Sequence, residues 1–271
     1  MTEHWRLLNT GAGSGAWNMA FDEAVLEHAQ RGEVPTTLRF FSWDPACLSL
    51  GQGQSSQDVD VKRLEECGWE LVRRLTGGRA ILHTDELTYS VIGSTAVPAL
   101  AGTVLESYRR LAQALRAGLS QLGLDVEMKE HARILEQEAN PVCFEVPSAY
   151  EITVGGRKLI GSAQARRKDG VLQHGSLPLE GDLTRICEVL SFESESQRME
   201  ARERLSASAL TVKAALGRSL EWSAAAHALA SGFESELAIV LEASDPTPSE
   251  LDRADALVAE KYAHPSWTAR L

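Results

Sequence analysis

The sequence AYEITVGGRKLIGSAQARRKDGVLQHGSLPL, residues 149–179, contains three β-forming runs that two short turn signals separate. The dipeptides Gly155-Gly156 and Asp169-Gly170 are typical of tight hairpin turns. We therefore predict an antiparallel meander of three strands. Because these strands do not alternate regularly with helices, as the strands of a doubly wound sheet do, the sequence predicts an α+β protein.

Further elements are predicted on both sides of the meander. Apolar and turn patterns indicate strands at 37–41, 47–50, 69–75, 87–92 and 125–128. They indicate helices at 18–29, 59–66, 103–122, 183–190, 198–205, 223–242 and 249–262. Since no repeat, long linker or biased segment divides the chain, we expect one domain over residues 1–271, with a mixed and antiparallel sheet that helices flank.

The first helix is preceded by three closely spaced glycines, Gly11, Gly13 and Gly15. Their spacing departs from G-x-G-x-x-G, and no strand of useful length is predicted before them, so a dinucleotide-binding loop is disfavoured. We expect a flexible loop here, with Asn18 as the N-cap of the helix.

Composition excludes several classes of protein. The 271 residues are 44% hydrophobic and 24% charged, which is typical of a globular chain and not of a disordered one. The formal net charge of −11 argues against a general nucleic-acid binder. The sequence has no signal-peptide pattern and no run of about 18 apolar residues, so we expect a soluble, cytoplasmic protein with no membrane partner.

The chain has four cysteines: Cys47, Cys67, Cys143 and Cys187. None belongs to a C-x-x-C pair, so we expect reduced thiols and neither disulfides nor a structural zinc site. Cys143 differs from the others because Pro141 and Pro147 bound its segment, which favours a rigid loop that could display a reactive group. The other three lie in apolar segments or at a helix end, where small buried thiols are common.

Two further stretches carry candidate site residues. RRLTGGRAILH, residues 73–83, combines arginines with a glycine turn and a histidine, which suits an anion or a carbonyl oxygen, although a hairpin with solvated arginines is the alternative. In GRKLIGSAQ, residues 156–164, Lys158 follows a glycine turn, where most lysines are exposed. Gly161 and Ser162 are small residues inside a strand, which allow close approach by a ligand or another backbone.

Taken together, these stretches resemble the catalytic domain of the lipoate-protein ligase and octanoyltransferase family, which is related in fold to biotin-protein ligases. The likeness rests on RR-x-TGG-x-A-x-x-H from Arg73, G-R-K-x-x-G-S-A from Gly156, N-x-A-x-D-E from Asn18, and Lys261-Tyr262 with Trp267. It implies that Lys158 holds the acyl substrate. It also implies substrate-binding residues at Arg73, Arg74, Thr76, Gly77, Gly78, His83, Gly161, Ser162, His174 and Gly175.

Within this family, ATP-dependent ligases make an acyl-adenylate, whereas transferases that use acyl carrier protein pass through a cysteine thioester. Cys143 stands just upstream of residues 147–152, where similar octanoyltransferases place their nucleophile. The chain also ends soon after Trp267, so we expect no C-terminal accessory domain. The resemblance thus implies a monomeric enzyme of lipoate biosynthesis, without cofactor or metal, that moves an octanoyl group from acyl carrier protein to a lysine of a lipoyl domain.

The chemistry is compatible with these roles. Exchange between two thioesters is nearly isoenergetic, so a thiolate at Cys143 is a natural relay. The N–H groups of Gly77 and Gly78 and the Lys158 ammonium are candidates for stabilising the oxyanion, and His83 is a candidate base or a structural histidine. The basic residues Arg166, Arg167 and Lys168 are expected to steer an acidic partner protein.

Three alternatives remain open from the sequence. The nearest is an ATP-dependent lipoate-protein ligase. A lipoyl amidotransferase would use the same cysteine, and a non-catalytic lipoyl-binding scaffold would keep the fold without the chemistry.

Overall fold

The computed structural model describes residues 2–130 and 150–270. Its strands are β1 (Glu3–Gly13), β2 (Thr37–Trp43), β3 (Cys47–Leu50), β4 (Glu70–Arg73), β5 (Ile81–His83), β6 (Glu86–Ser94), β7 (Glu127–Glu130), β8 (Tyr150–Val154), β9 (Arg157–Arg167), β10 (Gly170–Pro178) and β11 (Ile239–Ala243). Its helices are α1 (Gly15–Gln30), α2 (Val61–Glu66), α3 (Val104–Gln121), α4 (Ile186–Val189), α5 (Glu195–Ser208), α6 (Val212–Leu216), α7 (Trp222–Leu237), α8 (Pro248–Leu257) and α9 (Pro265–Thr268). Short 3₁₀ turns occupy Ser56–Asp58 and Leu183–Arg185, and a π-helical turn occupies Val258–Tyr262.

The strands form one large and one small sheet. The large sheet has the order β11-β1-β2-β6-β10-β9-β8-β7, in which β1 is parallel to both of its neighbours and the other pairings are antiparallel. The small sheet has the order β4-β3-β5, with β3 parallel to β4 and antiparallel to β5. This mixed arrangement, flanked by helices, confirms the predicted α+β class.

The predicted meander is present as β8, β9 and β10. Gly155 and Gly156 form the first turn with φ values of 55° and 76°, a region that glycine enters at little cost. The second turn lies one residue earlier than predicted: Gly170 already pairs with Arg167, and Lys168 takes the left-handed φ of 52°.

The loop predicted before the first helix is wrong. β1 continues through Gly13, with a register shift between Asn9 and Gly11, and α1 begins at Gly15 with Ser14 as its N-cap. Gly15 is required by packing, since a Cβ there would lie 2.3 Å from the Cys47 sulfur, whereas Gly11 is favoured by its left-handed φ of 69°. A strand therefore leads almost directly into the helix.

The predicted helix at 223–242 is also wrong in its last turn. Ala238 adopts a left-handed φ of 52°, which ends α7, and the next residues form β11. In β11, Ile239 to Ala243 pair with Glu3 to Leu7 of β1. This long-range pairing outweighs the local helical pattern.

Apolar clusters lie on both faces of the large sheet. Helices α3 and α7 cover one face. Gly118 of α3 and Gly232 of α7 allow the two helices to approach closely, since a Cβ on Gly232 would lie 2.3 Å from the Gly118 nitrogen. Helices α1 and α8 cover the other face, and a third cluster joins the small sheet to α4 and α5. Within the described ranges, no helix has the length and apolar character needed to cross a membrane.

Candidate active site

A pocket lies where residues of both sheets meet α1. The space between its lining atoms is about 360 Å³, part of which is open to solvent. Its walls are formed by Met19, Trp43, Ser49, Arg74, Ile81, His83, Thr88, Gly161, Ser162, Ala163, His174, Gly175 and Ser176. Six of the residues predicted for the site are therefore brought together: Arg74, His83, Gly161, Ser162, His174 and Gly175.

One wall contains a chain of polar groups that we call the His83 array: Ser49, His83 and Glu86. The Nε2 atom of His83 lies 2.7 Å from the Ser49 hydroxyl, and its Nδ1 atom lies 2.7 Å from a carboxylate oxygen of Glu86. The Trp43 ring stacks on the imidazole, with centroids 4.0 Å apart and planes at 12°. Both nitrogens and one face of the ring are therefore held in place.

Glu86 is a buried carboxylate with several donors. The hydroxyls of Thr88 and Ser176 donate to its two oxygens, and His83 faces one of them. Burial alone would raise the pKa of Glu86, but His83 and the two hydroxyls outweigh it and lower that pKa. Glu86 is therefore ionised at neutral pH and accepts the Nδ1–H of His83.

Arg74 joins the His83 array to the glycine turn. Its guanidinium donates to the hydroxyl and the carbonyl of Ser49, at 3.1 and 2.9 Å, and to the carbonyl of Gly77 at 2.9 Å. The turn is exposed, and Gly78 has a φ of 91°. A Cβ on Gly51 would lie 1.9 Å from the Gly78 oxygen, so the loop after β3 supports the turn by direct backbone contact.

A second set of polar groups reaches the pocket through His174, and we call it the His174 array: Thr76, His174 and Asp22. The Thr76 hydroxyl lies 2.6 Å from His174 Nε2, whereas His174 Nδ1 lies 3.5 Å from Asp22 Oδ2, beyond normal hydrogen-bond length. Asp22 Oδ1 instead accepts from Arg39 at 2.7 Å and from Ser90 at 3.0 Å. Burial lowers the pKa of His174, so this imidazole is neutral at neutral pH.

The glycines of β9 and β10 allow the strands to pack tightly beside the pocket. A Cβ on Gly175 would lie 2.5 Å from the Ser162 hydroxyl and 2.6 Å from the Tyr89 ring. The Tyr89 hydroxyl in turn lies 2.8 Å from the Ser162 hydroxyl. Gly175 is thus required by neighbouring protein atoms, and Ser162 is held by Tyr89.

The structure places Arg73 away from this pocket. It is buried, and its guanidinium donates to the carbonyls of Gly51 and Gln54 and to that of Thr268. The indole of Trp267 donates back to the Arg73 carbonyl at 2.8 Å. The contacts of Arg73 therefore join the end of β4 to α9.

Lys158 is buried, which differs from the exposed position typical of a lysine after a turn. Only 3% of its side chain is accessible, and its ammonium lies 3.3 Å from the Glu151 carboxylate. Its carbonyl accepts from Leu210 N. A register shift in the pairing of β8 with β9 lies between Lys158 and Gly161.

The cysteines lie in different surroundings. Cys143, the predicted nucleophile, lies outside the described residues. Cys47 and Cys187 are buried as expected, and burial raises the pKa of the Cys47 thiol. Cys67 is exposed at the end of α2, so the expectation of an apolar setting was wrong for it.

The predicted basic strip is largely engaged within the protein. Arg166 donates to the carbonyls of Leu100 and Thr103 and to the hydroxyl of Ser107, and Arg167 pairs with Glu23 at 2.9 Å. These contacts hold the guanidinium groups against α3 and α1. Arg166 is therefore used within the fold, whereas Arg167 and Lys168 are exposed, and their steering of an acidic partner stays a prediction.

Sequence reasoning missed three polar residues of the two arrays: Ser49, Glu86 and Asp22. Ser49 lies in a short apolar strand and meets His83 only through the antiparallel pairing of β3 with β5. Asp22 was noted only within a motif. The available signal was that Asp22 lies among apolar residues of a predicted helix and Glu86 directly precedes a predicted strand, where a carboxylate that becomes buried needs a partner.

Known proteins are similar to this chain in sequence. A family model described as the lipoyl protein ligase A/B catalytic domain matches residues 14–234. The chain is 42% identical to octanoyltransferase LipM of Kyrpidia tusciae, over 98% of both chains. It is 37% identical to octanoyltransferase LipM of Staphylococcus aureus, over the full length of both.

Solved structures of lipoate ligases share the fold. A bipartite lipoate protein ligase of Thermoplasma acidophilum superimposes with a TM-score of 0.83 at 24% identity, over 98% of this chain and 96% of that one. Lipoate-protein ligase A bound with ATP superimposes with a TM-score of 0.80 at 26% identity, over 99% of both chains. The architecture around the pocket is thus a lipoate-ligase-like domain.

Proposed function

Because this chain belongs to the family of the lipoyl protein ligase A/B catalytic domain, we propose that its pocket receives an octanoyl group from acyl carrier protein and passes it to a lysine of a lipoyl domain. The chain is an acyltransferase, and octanoyl transfer is the activity of its full-length relatives. The acyl carrier protein donor, the lipoyl-domain acceptor and the thioester on Cys143 are the parts that this proposal adds.

The pocket is the observation that carries the proposal. Met19, Trp43 and Ile81 give it apolar surface, against which each buried methylene of an acyl chain contributes about 0.8 kcal/mol. Arg74 and His83 give it a polar wall, where a carbonyl group and an approaching amine find donors and acceptors. An acyl chain with a reactive carbonyl at one end matches both kinds of surface.

The proposed reaction has two steps. The Cys143 thiolate attacks the thioester carbonyl of octanoyl-acyl carrier protein, so a new carbon–sulfur bond forms and the carrier thiolate leaves. The neutral amine of the acceptor lysine then attacks the Cys143 thioester, an amide forms, and the Cys143 sulfur leaves and regains a proton. Because both steps exchange groups at a carbonyl, no adenylate is required.

Lys158 is proposed to bind the acyl carbonyl. Its ammonium is buried and paired with Glu151, and the nearby β-bulge in β8 and β9 is of the kind that re-aims a side chain beside a site. An ammonium held in low dielectric stabilises a developing oxyanion, a contribution of roughly 3 kcal/mol per donor.

The transfer itself is tested by incubating the protein with octanoyl-acyl carrier protein and a lipoyl domain, with and without ATP, and measuring the intact mass of each protein. We expect octanoylated lipoyl domain without ATP. Without acceptor, we expect one octanoyl group on the enzyme, removable by neutral hydroxylamine and located on the Cys143 peptide. Cys143→Ser removes that adduct, whereas Cys67→Ser, which alters an exposed thiol at the end of α2, keeps it. Strict dependence on ATP with free octanoate or lipoate as donor would assign the protein to the ligases.

The role of Lys158 needs a variant that separates chemistry from folding. Lys158→Ala removes the ammonium and its ion pair, whereas Glu151→Gln removes the pair and keeps the ammonium. If Lys158 stabilises the oxyanion, Lys158→Ala lowers single-turnover transfer about 100-fold to 1,000-fold, and Glu151→Gln lowers it far less. Equal losses in the two variants, with equal losses of stability, would assign Lys158 to the fold.

A further inference from the structure

A continuous line of four polar groups runs along one wall of the pocket. Arg74 donates to the Ser49 hydroxyl at 3.1 Å, Ser49 lies 2.7 Å from His83 Nε2, and His83 Nδ1 lies 2.7 Å from Glu86. A cation stands at one end and a carboxylate at the other. This order of charges favours movement of a proton from the hydroxyl towards the imidazole.

We propose that Ser49 is a proton relay, which passes a proton from the acceptor lysine amine to His83. The inference rests on the proposed function and names the groups that activate the acceptor. The acceptor enters as an ammonium group. One of its N–H bonds breaks and that proton goes to Ser49 Oγ, while the Ser49 proton goes to His83 Nε2. Glu86 faces the resulting imidazolium, which later releases this proton to solvent. The neutral nitrogen attacks the thioester carbonyl, and its second proton goes to the leaving sulfur as the amide forms.

The acceptor amine is the reactant that most needs a base. With ordinary pKa values of about 10.4 for lysine and 8.5 for cysteine, about 1 amine in 2,500 but about 3 thiols in 100 are deprotonated at pH 7. Deprotonation therefore limits the second step far more than the first. A relay beside the pocket lets the abundant ammonium form of the acceptor enter the reaction.

Ser49 is suited to this role by its contacts. Ser49 is among the residues that line the pocket, although it is fully buried, and Arg74 stabilises negative charge that develops on its oxygen during the transfer. His83 is kept in one orientation by Trp43, whose indole N–H donates to Thr88 at 2.7 Å, and Thr88 in turn donates to Glu86. The groups that receive the proton are thus fixed before the acceptor arrives.

Other titratable groups near His83 do not change charge around neutral pH. Cys47 is opposite His83 in the pairing of β3 with β5, and burial raises the pKa of its thiol. On β10, burial lowers the pKa of His174. Arg74 and Glu86 stay charged. The pH dependence of transfer near neutrality is therefore assigned to the acceptor amine.

The relay is tested by single-turnover octanoylation of the lipoyl domain by the wild type and by Ser49→Ala from about pH 7 to about pH 9. The variant can react only with amine that is already neutral, a fraction that rises about tenfold per pH unit. We expect a deficit of about 100-fold at pH 7 that shrinks towards pH 9. Ser49→Thr keeps a hydroxyl and restores the wild-type profile, and the Ser49→Ala acyl-enzyme still reacts with hydroxylamine, whose nitrogen is unprotonated at neutral pH.

Ser107→Ala is the matched control, because it removes another buried hydroxyl, on α3, and leaves the pH profile unchanged. A Ser49→Ala deficit that is the same at every pH, or no deficit, overturns the relay. Octanoate attached to the Ser49 peptide and resistant to neutral hydroxylamine overturns it in favour of a nucleophilic serine. Because lipoyl-domain product is measured, the result does not depend on Cys143, whose failure is seen separately as a wild-type enzyme that takes up no octanoyl group.

Discussion

The His83 array and the His174 array each combine a hydroxyl, an imidazole and a carboxylate beside the same pocket. The two carboxylates nevertheless have different partners. Glu86 is held by two neutral hydroxyls and faces His83 at 2.7 Å. Asp22 is bonded to Arg39 at 2.7 Å, and its other oxygen has no hydrogen-bond partner, with His174 3.5 Å away. Because Arg39 already neutralises the Asp22 carboxylate, Asp22 stabilises an imidazolium at His174 only weakly.

The difference lies in what surrounds each carboxylate. Arg39 is fully buried, with its guanidinium 3.8 Å from the centre of the Phe41 ring and bonded to the Asn18 amide oxygen at 2.7 Å. It stabilises the junction of β2 and α1. We infer that the His174 array is mainly structural and that the His83 array is mainly chemical, and substitutions in each array can separate the two roles.

The largest effect is expected from Arg39→Leu. It leaves the Asp22 carboxylate buried without its cation, and breaking a buried ion pair in this way costs about 3–5 kcal/mol. Urea unfolding of the variant and the wild type measures this difference. A loss below about 1 kcal/mol would mean that Asp22 and Arg39 do not anchor the His174 array.

Glu86→Gln is expected to have its main effect on transfer. The amide keeps the shape of the side chain but cannot stabilise an imidazolium, so single-turnover transfer falls about 100-fold, or about 2.7 kcal/mol in the barrier. Unfolding free energy falls less, by about 1–3 kcal/mol, because one hydroxyl donor loses its acceptor. Equal effects of this substitution and of Arg39→Leu on folding, with no effect on transfer, would assign the His83 array to structure.

His174→Gln is expected to have a smaller effect. The Thr76 hydroxyl keeps a polar partner, so we expect a loss of about 1 kcal/mol in unfolding free energy. Because His174 lines the pocket, its substitution raises the KM for donor, but the pH profile of transfer keeps the wild-type shape. A profile like that of Ser49→Ala would transfer the proposed role from His83 to His174.

The smallest effect is expected in the contribution of Glu86 to the unfolding free energy at acidic pH. The folded pKa of Glu86 is lowered, so its ionised form adds stability above its unfolded pKa of about 4.3, and that stability is lost as the pH falls through the folded value. The wild type is therefore more stable than Glu86→Gln at neutral pH, and the gap narrows below about pH 4. Unfolding midpoints in denaturant across this range test the sign, and a constant gap would show that the charge contributes nothing.

Local patterns were sufficient for much of the fold. The turns of residues 149–179 and the amphipathic pattern of 103–122 depend on neighbouring residues, so the meander and α3 could be predicted. β1 and β11 could not, because their parallel pairing joins residues more than 200 positions apart and overrides local helix preference in β11. Gly13 and Gly15 were also misinterpreted as loop residues. A Cβ on Gly13 would press on Trp17 and a Cβ on Gly15 on Cys47, and neither contact is visible in the sequence.

The candidate site was predictable only in part for the same reason. Motifs indicated Arg74, His83 and His174, which do line one pocket, but they could not distinguish Arg73, which contacts backbone carbonyls elsewhere. Ser49 carried no motif, and its position beside His83 follows from the register of β3 and β5. Polar contacts set by strand register are not visible in local spacing.

The contacts that join Arg73 to Trp267 and Thr268 of α9 can form only late in synthesis of the chain. Arg73 and Thr268 are 195 residues apart in the sequence. A ribosome that adds about 5–20 residues per second needs about 10 to 40 seconds to synthesise that stretch. Every residue that lines the pocket has been synthesised before Trp267 is reached. Until then, Arg73 at the end of β4 lacks its contacts with α9. Ser176 is the last of the pocket-lining residues, so about a third of the chain is still to be synthesised when that set is complete. A chain truncated before Trp267 contains every lining residue but lacks the contacts between Arg73 and α9.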